Sequence, residues 1–359
     1  MSCLFEPVQL GGLTLKNRIV MAPLTRKRAG SARVPNELMR QYYCQRAGAG
    51  LVISEATSVS AQGVGYPGTP GIWSKTQVEG WKRITKTVHD QGGKIMLQLW
   101  HVGRVSDPEL LNGEIPVAPS AIPCEGHVSL LRPKRPYPTP RALHLPEIAS
   151  IVADFTQAAR NAREAGFDGV EIHAANGYLI DQFLHNHSNR RTDHYGGPVE
   201  NRARFLMEVV QACCSVWPSS RVGVHLSPRG DAHSMGDDDP QALFSYVAQA
   251  LGEQGLAFLC VRESEGPDSL LPRIKALFGG PVIANENFNF ESAEKMVSSG
   301  QAEAVAFGRS FIANPDLVER FRRHAPLNEP IAQTFYGDGA CGYTDYPALE
   351  PLGCDQEVA

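Results

Sequence analysis

Eight short apolar segments alternate with amphipathic helical stretches along this chain, and this alternation constrains the fold more than any other feature. Most segments are nearly continuous apolar runs, as expected for parallel strands buried on both faces. The predicted strands are residues 18–21, 51–55, 94–99, 169–173, 222–226, 256–261, 282–284 and 304–307. The predicted helices include residues 77–91, 145–165, 199–217, 239–254 and 314–324, the last with Asn314 as N-cap and Pro315 at its first position. The pattern predicts an α/β protein, a single (β/α)8 barrel that spans residues 1–359.

A doubly wound sheet is the competing arrangement. It would place a glycine-rich turn after the first strand, but that strand is followed by Ala22-Pro-Leu-Thr25. A Gly-x-Gly-x-x-Gly string at residues 337–342 follows no predicted strand, and the remainder of the chain is too short for a βαβ unit. The barrel is therefore the preferred prediction.

Three segments lie outside the regular repeat. Residues 1–17 contain Gly11-Gly12 between apolar residues, which predicts a hairpin that could close the bottom of the barrel. Residues 102–141 carry eight prolines and little periodicity. Because this stretch follows the third strand, we expect a capping loop over the C-terminal mouth, where barrel active sites lie. Residues 345–359 form a predicted C-terminal tail.

The composition excludes several classes of function. A formal net charge of -4 is not that of a nucleic-acid binder, and no apolar run has the length of a membrane span. The eight cysteines include no Cys-x-x-Cys pair, so we expect reduced thiols and no metal. The N-terminus has no basic segment followed by an apolar run, so we expect no signal peptide and a cytoplasmic protein.

The most informative chemistry stands at the end of the fourth predicted strand, in His173-Ala-Ala-Asn176-Gly-Tyr178. An imidazole and a carboxamide three residues apart can converge on one acceptor atom, as donors do in an oxyanion hole. A tyrosine keeps its proton near neutrality and can act as an acid. Each residue alone could be structural, but the combination favours a catalytic site.

Together with further motifs, this run resembles the Old Yellow Enzyme family of NADH:flavin oxidoreductases, or ene-reductases. The matches run in the right order from residue 5 to about 350. The motifs are Met21-Ala-Pro-Leu-Thr-Arg26, Ser54-Glu-Ala-Thr57, Gln98-Leu-Trp-His-Val-Gly-Arg104, His173-Ala-Ala-Asn-Gly-Tyr178, Ser188-Asn-Arg-Arg-Thr-Asp193, Tyr195-Gly-Gly-Pro-Val-Glu-Asn-Arg202, Ala306-Phe-Gly-Arg309, Phe335-Tyr-Gly337 and Gly342-Tyr-Thr-Asp-Tyr-Pro347.

The resemblance implies a barrel that holds FMN noncovalently at its C-terminal mouth. Thr25 would lie near the flavin O4 and N5, and Gln98 would bond the pyrimidine edge. Arg309 would hold the phosphate, in agreement with the phosphate site that loops after strands seven and eight commonly form in such barrels. The implied cofactor residues are Pro23, Leu24, Thr25, Ala56, Gln98, His225, Asn287, Gly308 and Arg309.

The resemblance also implies the reaction. His173 and Asn176 would bind the carbonyl or nitro oxygen of an activated alkene, hydride would pass from flavin N5 to the β-carbon, and Tyr178 would protonate the α-carbon. NAD(P)H would reduce the flavin at the same site. The expected partners are these small molecules, with no nucleic acid or membrane, in a monomer or homodimer. The candidates for the substrate wall are Tyr66, Trp100 and Tyr336.

Two positions depart from the family's pattern. His225 stands in strand five where many members have an arginine beneath the flavin N1 and O2. Either His225 is protonated mainly when the flavin is reduced, or Arg229 supplies the positive charge. Glu286 stands where glycine is common in the phosphate loop, and we expect its side chain to face away from the phosphate.

Three alternatives remain open at this point. A redox-neutral flavin-dependent isomerase would not need a proton donor such as Tyr178. An aldolase would need a Schiff-base lysine at a strand end, and none is obvious. A non-catalytic flavin-binding barrel would need no donors at all.

Overall fold

In the computed structural model, which describes residues 2–354, eight parallel strands form a closed barrel. Consecutive barrel strands pair with one another, and the eighth pairs with the first. In chain order the barrel strands are Ile19–Met21, Leu51–Ile53, Ile95–Trp100, Gly169–Ala174, Val222–Leu226, Phe258–Arg262, Val282–Asn285 and Ala304–Phe307. A two-residue strand, Thr57–Ser58, extends the second strand along the third. The predicted (β/α)8 barrel is confirmed.

Burial on both faces explains why the strands show no polar alternation. In the third barrel strand, Ile95, Leu97 and Leu99 pack against the helices, while Met96 faces the barrel interior. All six residues of this strand are buried. The same strand therefore supplies both the helix-facing core and the barrel core.

Helices cover the outside of the barrel and connect its strands. The α-helices are Glu37–Gln45, Lys75–Asp90, Leu145–Glu164, Leu179–Leu184, Val199–Cys214, Pro240–Gly252, Leu271–Phe278, Phe290–Ser298, Arg309–Ala313 and Leu317–Arg322. One prediction was wrong at its start. The last helix begins after Asp316, and Asn314 instead ends the preceding helix, where its side-chain Nδ2 donates to the carbonyl of Ser310 at 2.9 Å. The predicted start therefore lies between two short helices rather than at the beginning of one.

The N-terminal segment closes the bottom of the barrel. Val8–Leu10 and Leu13–Leu15 form an antiparallel hairpin, whose apolar side chains join the barrel-interior core. The N–H of Gly12 donates to the carbonyl of Ser220 at 2.7 Å, just before the fifth barrel strand. The hairpin thus lies at the end opposite the C-terminal mouth.

The proline-rich stretch after the third strand contains no α-helix within residues 102–141. Its regular elements are a 3-10 turn, Pro108–Leu110, and two short strands, Val117–Ala118 and Arg141–Ala142, which pair in parallel. Among the helices described between residues 2 and 354, none combines the length and apolar character needed to cross a bilayer.

The C-terminal segment is anchored to the first part of the chain. Arg26 donates from Nη2 to the carbonyl of Gly342 at 2.7 Å, and the rings of Tyr42 and Tyr343 stack with centroids 4.0 Å apart. Cys44 and Cys354 form a disulfide. This corrects the expectation that all thiols are unpaired. No spacing rule indicates this pair, because 310 positions separate the two cysteines. Residues 355–359 of the predicted tail lie outside the described residues.

Candidate active site

A cavity of about 450 Å³ opens at the C-terminal mouth of the barrel. Its volume is in the range of small-molecule and cofactor sites, and its position is that of barrel active sites. Residues from the ends of strands on all sides of the barrel meet there. The cavity brings together these predicted site residues: Pro23, Leu24, Thr25, Ala56, Gln98, His173, Asn176, Tyr178, His225, Asn287, Gly308 and Arg309.

A sharp turn after the fourth barrel strand presents the donor residues to this cavity. Asn176 and Gly177 have φ of +59° and +79°. A Cβ at Gly177 would lie 2.6 Å from the carbonyl oxygen of Ala232, so only glycine fits there. The helix that follows secures the turn, because Asp181 Oδ2 accepts from the N–H of Gly177 at 2.8 Å and Gln182 Nε2 donates to its carbonyl at 2.7 Å.

Asn176 is held from three directions. Its N–H donates to Ser227 Oγ at 2.8 Å, and its carbonyl accepts from His233 Nδ1 at 2.7 Å. Its side-chain Oδ1 accepts from Arg262 Nη1 at 2.5 Å. A guanidinium can only donate, so it must face the amide oxygen. The amide NH2 is therefore the end of Asn176 that remains to serve an acceptor in the cavity.

His173 and Tyr178 complete the donor group. Burial lowers the pKa of His173 well below its usual value, and the positive charge of Arg262 acts in the same direction. His173 is therefore neutral near pH 7 and keeps one N–H to donate. Burial raises the pKa of Tyr178 well above its usual value, so its hydroxyl keeps its proton. The two rings meet edge to face, with centroids 5.0 Å apart.

Beneath these donors, His225 belongs to a buried polar cluster. Gln98 Nε2 donates to Glu171 Oε2 at 2.7 Å and to His225 Nδ1 at 3.2 Å. Because Nδ1 accepts, a neutral His225 carries its proton on Nε2. Within the described residues that atom is buried without a hydrogen-bond partner. Arg229, the other candidate for the positive charge, lines a neighbouring cleft instead and pairs with Glu263 at 2.9 Å and with Asp268.

At the opposite side of the cavity lie the residues expected to hold a phosphate. Gly308 and Arg309 stand at the start of a short helix after the eighth strand. Glu286, which was expected to face away from the phosphate, lines this cavity as well as the neighbouring cleft. Its carboxylate forms an ion pair with Nε of Arg262, and its orientation relative to a bound phosphate stays a prediction. The guanidinium of Arg262, at the end of the sixth strand, thus compensates the charge of the Glu286 carboxylate.

An outer cavity of about 640 Å³ adjoins the first one and shares Asn176, Tyr178 and Arg262 with it. Tyr66, Tyr336 and residues of the proline-rich stretch line it, including Arg132 and Lys134. The third wall candidate, Trp100, lines neither of these two cavities. It is fully buried and packs behind the wall, with its ring stacked on Tyr66 at 5.4 Å and edge to face with Tyr178 at 5.0 Å.

Sequence reasoning missed three residues of the site. Arg262 has a signal in hindsight, since it is a cation at the C-terminal end of an otherwise apolar strand. Glu171 could have been suspected as a carboxylate inside a buried strand. His233 lies in an irregular loop at φ +58° and has no periodic signal.

Comparison with known protein families agrees with this geometry. Residues 3–328 match the NADH:flavin oxidoreductase / NADH oxidase family. The chain is 44% identical over 358 residues to "Probable flavin mononucleotide-dependent alkene reductase" of Leishmania infantum, covering 96% of this chain and 97% of that protein. It is 43% identical over 364 residues to 12-oxophytodienoate reductase 2 of Arabidopsis thaliana, covering 97% and 96%.

Solved structures show the same architecture. An old yellow enzyme homologue from Zymomonas mobilis superposes with a TM-score of 0.94 at 47% identity, over 96% of this chain and 99% of the other. Morphinone reductase in complex with tetrahydroNAD superposes with a TM-score of 0.93 at 49% identity, over 97% and 98%.

Proposed function

Because this chain belongs to the Old Yellow Enzyme family of FMN-dependent NAD(P)H oxidoreductases, we propose that it reduces the C=C bond of α,β-unsaturated carbonyl or nitro compounds. His173 and Asn176 bind the carbonyl or nitro oxygen, and Tyr178 donates the proton. The observation that carries this proposal is the fixed amide of Asn176. With Arg262 on its oxygen, only its N–H groups can meet an acceptor beside the neutral imidazole of His173.

The residues of the inner cavity fit FMN. The unpartnered Nε2 of His225 and the amide of Gln98 offer polar contacts for the pyrimidine edge of the ring system. Arg309 offers a cation for the phosphate, with Asn287 and Gly308 beside it. Pro23, Leu24, Thr25 and Ala56 supply the remaining wall. When bound and reduced by NAD(P)H, FMN supplies the hydride for the β-carbon.

The side chains of this protein account for the polar part of the reaction. Two donors on one oxygen draw electron density away from the C=C bond, and they stabilise the charge that develops on that oxygen. Tyr178 holds its proton because burial raises its pKa, and it lies beside both donors at the boundary between the two cavities. This position supports its proposed role as the acid that protonates the α-carbon.

A spectroscopic experiment tests this function. The purified protein should be yellow, should bleach anaerobically with NAD(P)H, and should regain its colour on addition of 2-cyclohexenone with formation of cyclohexanone. A colourless protein that FMN cannot reconstitute would contradict the cofactor assignment. If NAD(P)H bleached the protein but no activated alkene restored its colour, the protein would be an FMN oxidoreductase, and the proposed alkene reduction would be contradicted.

A further inference from the structure

Three side chains form a hydrogen-bonded chain from the proton donor to the outer cavity. The hydroxyl oxygens of Tyr178 and Tyr66 lie 3.0 Å apart, and that of Tyr66 lies 3.4 Å from His233 Nε2. The other ring nitrogen of His233, Nδ1, lies 2.7 Å from the carbonyl oxygen of Asn176. His233 and Tyr66 both line the outer cavity. The chain therefore connects the buried Tyr178 hydroxyl with a more exposed space.

The carbonyl of Asn176 determines the tautomer of His233. A carbonyl oxygen only accepts, so Nδ1 must carry a proton in both the neutral and the cationic ring. In the neutral ring Nε2 is then an acceptor. The Tyr66 hydroxyl donates to Nε2, and the Tyr178 hydroxyl donates to the Tyr66 oxygen. In the cationic ring Nε2 donates, and the hydrogen bonds run in the opposite direction. Only the second arrangement leaves the Tyr178 hydrogen free to point at a substrate.

We propose that His233 and Tyr66 form a proton relay that orients and recharges Tyr178. This proposal rests on the proposed function. As the O–H bond of Tyr178 breaks and a C–H bond forms at the α-carbon, the Tyr66 proton moves to the Tyr178 oxygen. The Nε2 proton of His233 moves to the Tyr66 oxygen, and the imidazole regains a proton from solvent through the outer cavity. The net change is one proton taken from water, and no further oxidant or reductant is required.

Several groups surround His233 and set its charge. Burial lowers its pKa below 6.5, the hydrogen bond to the Asn176 carbonyl raises it, and the nearby charges of Arg104 and Asp181 lower and raise it respectively. The rings of Tyr137 and Tyr178 contact it from two sides. From the outer cavity it also faces Arg132, Lys134 and Arg262. The cationic ring is therefore favoured only at acidic pH, which makes the relay dependent on pH.

A left-handed turn, held by a buried arginine, fixes the position of His233. Both His233 and Ser234 have left-handed backbone, with φ of +58° and +60°, which is unfavourable for residues with a side chain. Arg104 holds this turn, because its Nη2 donates to the carbonyl of His233 at 3.0 Å. Arg104 itself is fully buried. Arg104 thus fixes the backbone that carries the His233 imidazole, and the imidazole contacts Tyr66.

The test follows flavin reoxidation by 2-cyclohexenone in single turnovers across pH 5–8 in wild type, His233→Gln, Tyr66→Phe and the double variant. Wild type should become faster as pH falls. Both single variants should lose this acid-side increase, with rates on the order of 10-fold lower at acidic pH, less than the loss of the donor itself. The double variant should be no slower than either single variant, because both substitutions break one chain.

Bleaching by NAD(P)H is followed in each variant, so that lost cofactor binding is distinguished from lost proton delivery. His187→Gln is the matched control, since His187 is a half-exposed histidine paired with Asp238 outside both cavities. It should keep the wild-type pH profile. In addition, 15N NMR of the imidazole should show the Nδ1–H tautomer for His233. A pH profile retained in His233→Gln, additive losses in the double variant, or an Nε2–H tautomer would overturn the relay while leaving the proposed reduction intact.

Discussion

Arg262 Nη1 lies 2.5 Å from Asn176 Oδ1, and this contact joins the sixth barrel strand to the donor turn after the fourth. The same guanidinium forms an ion pair with Glu286. Glu286 has φ +105°, a backbone conformation in which glycine costs least. A glutamate in this conformation strains the backbone, and its carboxylate contacts the guanidinium that also holds Asn176.

Removing this guanidinium should weaken oxygen binding. A hydrogen bond to a charged group contributes about 1.5–3 kcal/mol, so Arg262→Met should weaken binding of a para-substituted phenol by roughly 10-fold or more. Titration of the visible absorption spectrum measures the affinity. Arg229→Met is the control, because Arg229 is also paired with carboxylates but lies outside the inner cavity. Equal losses in the two variants would contradict a specific role for Arg262.

Removing the imidazole donor should affect binding and chemistry together. Loss of one oxyanion donor commonly lowers a rate by about 10²–10³. His173→Ala should therefore reduce the enone rate by about that factor and also weaken phenol binding, measured on the same preparation. Normal phenol affinity with a slow enone reaction would show that His173 does not contact the oxygen.

The proposed reaction has two half-reactions: NAD(P)H reduces the flavin, and the flavin then reduces the alkene. Removing the Tyr178 hydroxyl should slow the second without slowing the first. Tyr178→Phe should slow enone reduction by about 10²–10⁴, the usual contribution of a positioned general acid, while NAD(P)H oxidation is largely retained. Stopped-flow absorbance measures both steps. Tyr246→Phe is a suitable control, since Tyr246 packs on the helix-side core away from the cavities. If both half-reactions fell equally in Tyr178→Phe, the proton-donor role would be unsupported.

The charge beneath the flavin should depend on pH. His225 would lie beneath the pyrimidine edge of a bound FMN, where the reduced cofactor carries negative charge; an imidazole can gain a proton there, whereas a guanidinium is always charged. The Glu171 carboxylate lies 3.8 Å from His225 Nδ1. The midpoint potential of wild type should therefore vary more steeply with pH than that of His225→Arg, which carries a permanent charge. Potentiometry from pH 5 to 9 measures this, and identical slopes would contradict proton-linked reduction.

A buried carboxyl just after the second barrel strand, that of Glu55, should make stability depend on pH. Burial raises the pKa of Glu55 from 4.5 to about 7, opposed by its hydrogen bond from the Arg26 N–H. The folded state therefore binds more protons than the unfolded state between these values, and stability should fall as pH rises from about 4.5 to 7, by roughly 3 kcal/mol. Glu55→Gln should flatten this dependence in thermal unfolding, whereas exposed Glu329→Gln should retain it.

The sequence by itself determined the barrel and most of its cavity. Apolar strands alternating with amphipathic helices have few other stable arrangements, because each strand must be covered on both faces. Residues at the C-terminal ends of parallel strands necessarily meet at one mouth. For this reason His173, Gln98 and Arg309, which are far apart in sequence, could be assigned to one site.

Only the tertiary structure decided how the polar groups pair. Whether Asn176 offers its N–H groups depends on Arg262, which is 86 positions away, and the charge of Glu286 is compensated by that same arginine. Likewise, the link from Tyr178 through Tyr66 to His233 joins segments that follow the fourth, second and fifth barrel strands. Hydrogen bonds and ion pairs act over about 3 Å and depend on direction. The periodicity of the sequence predicts which face of a strand is buried, but not which donor meets which acceptor.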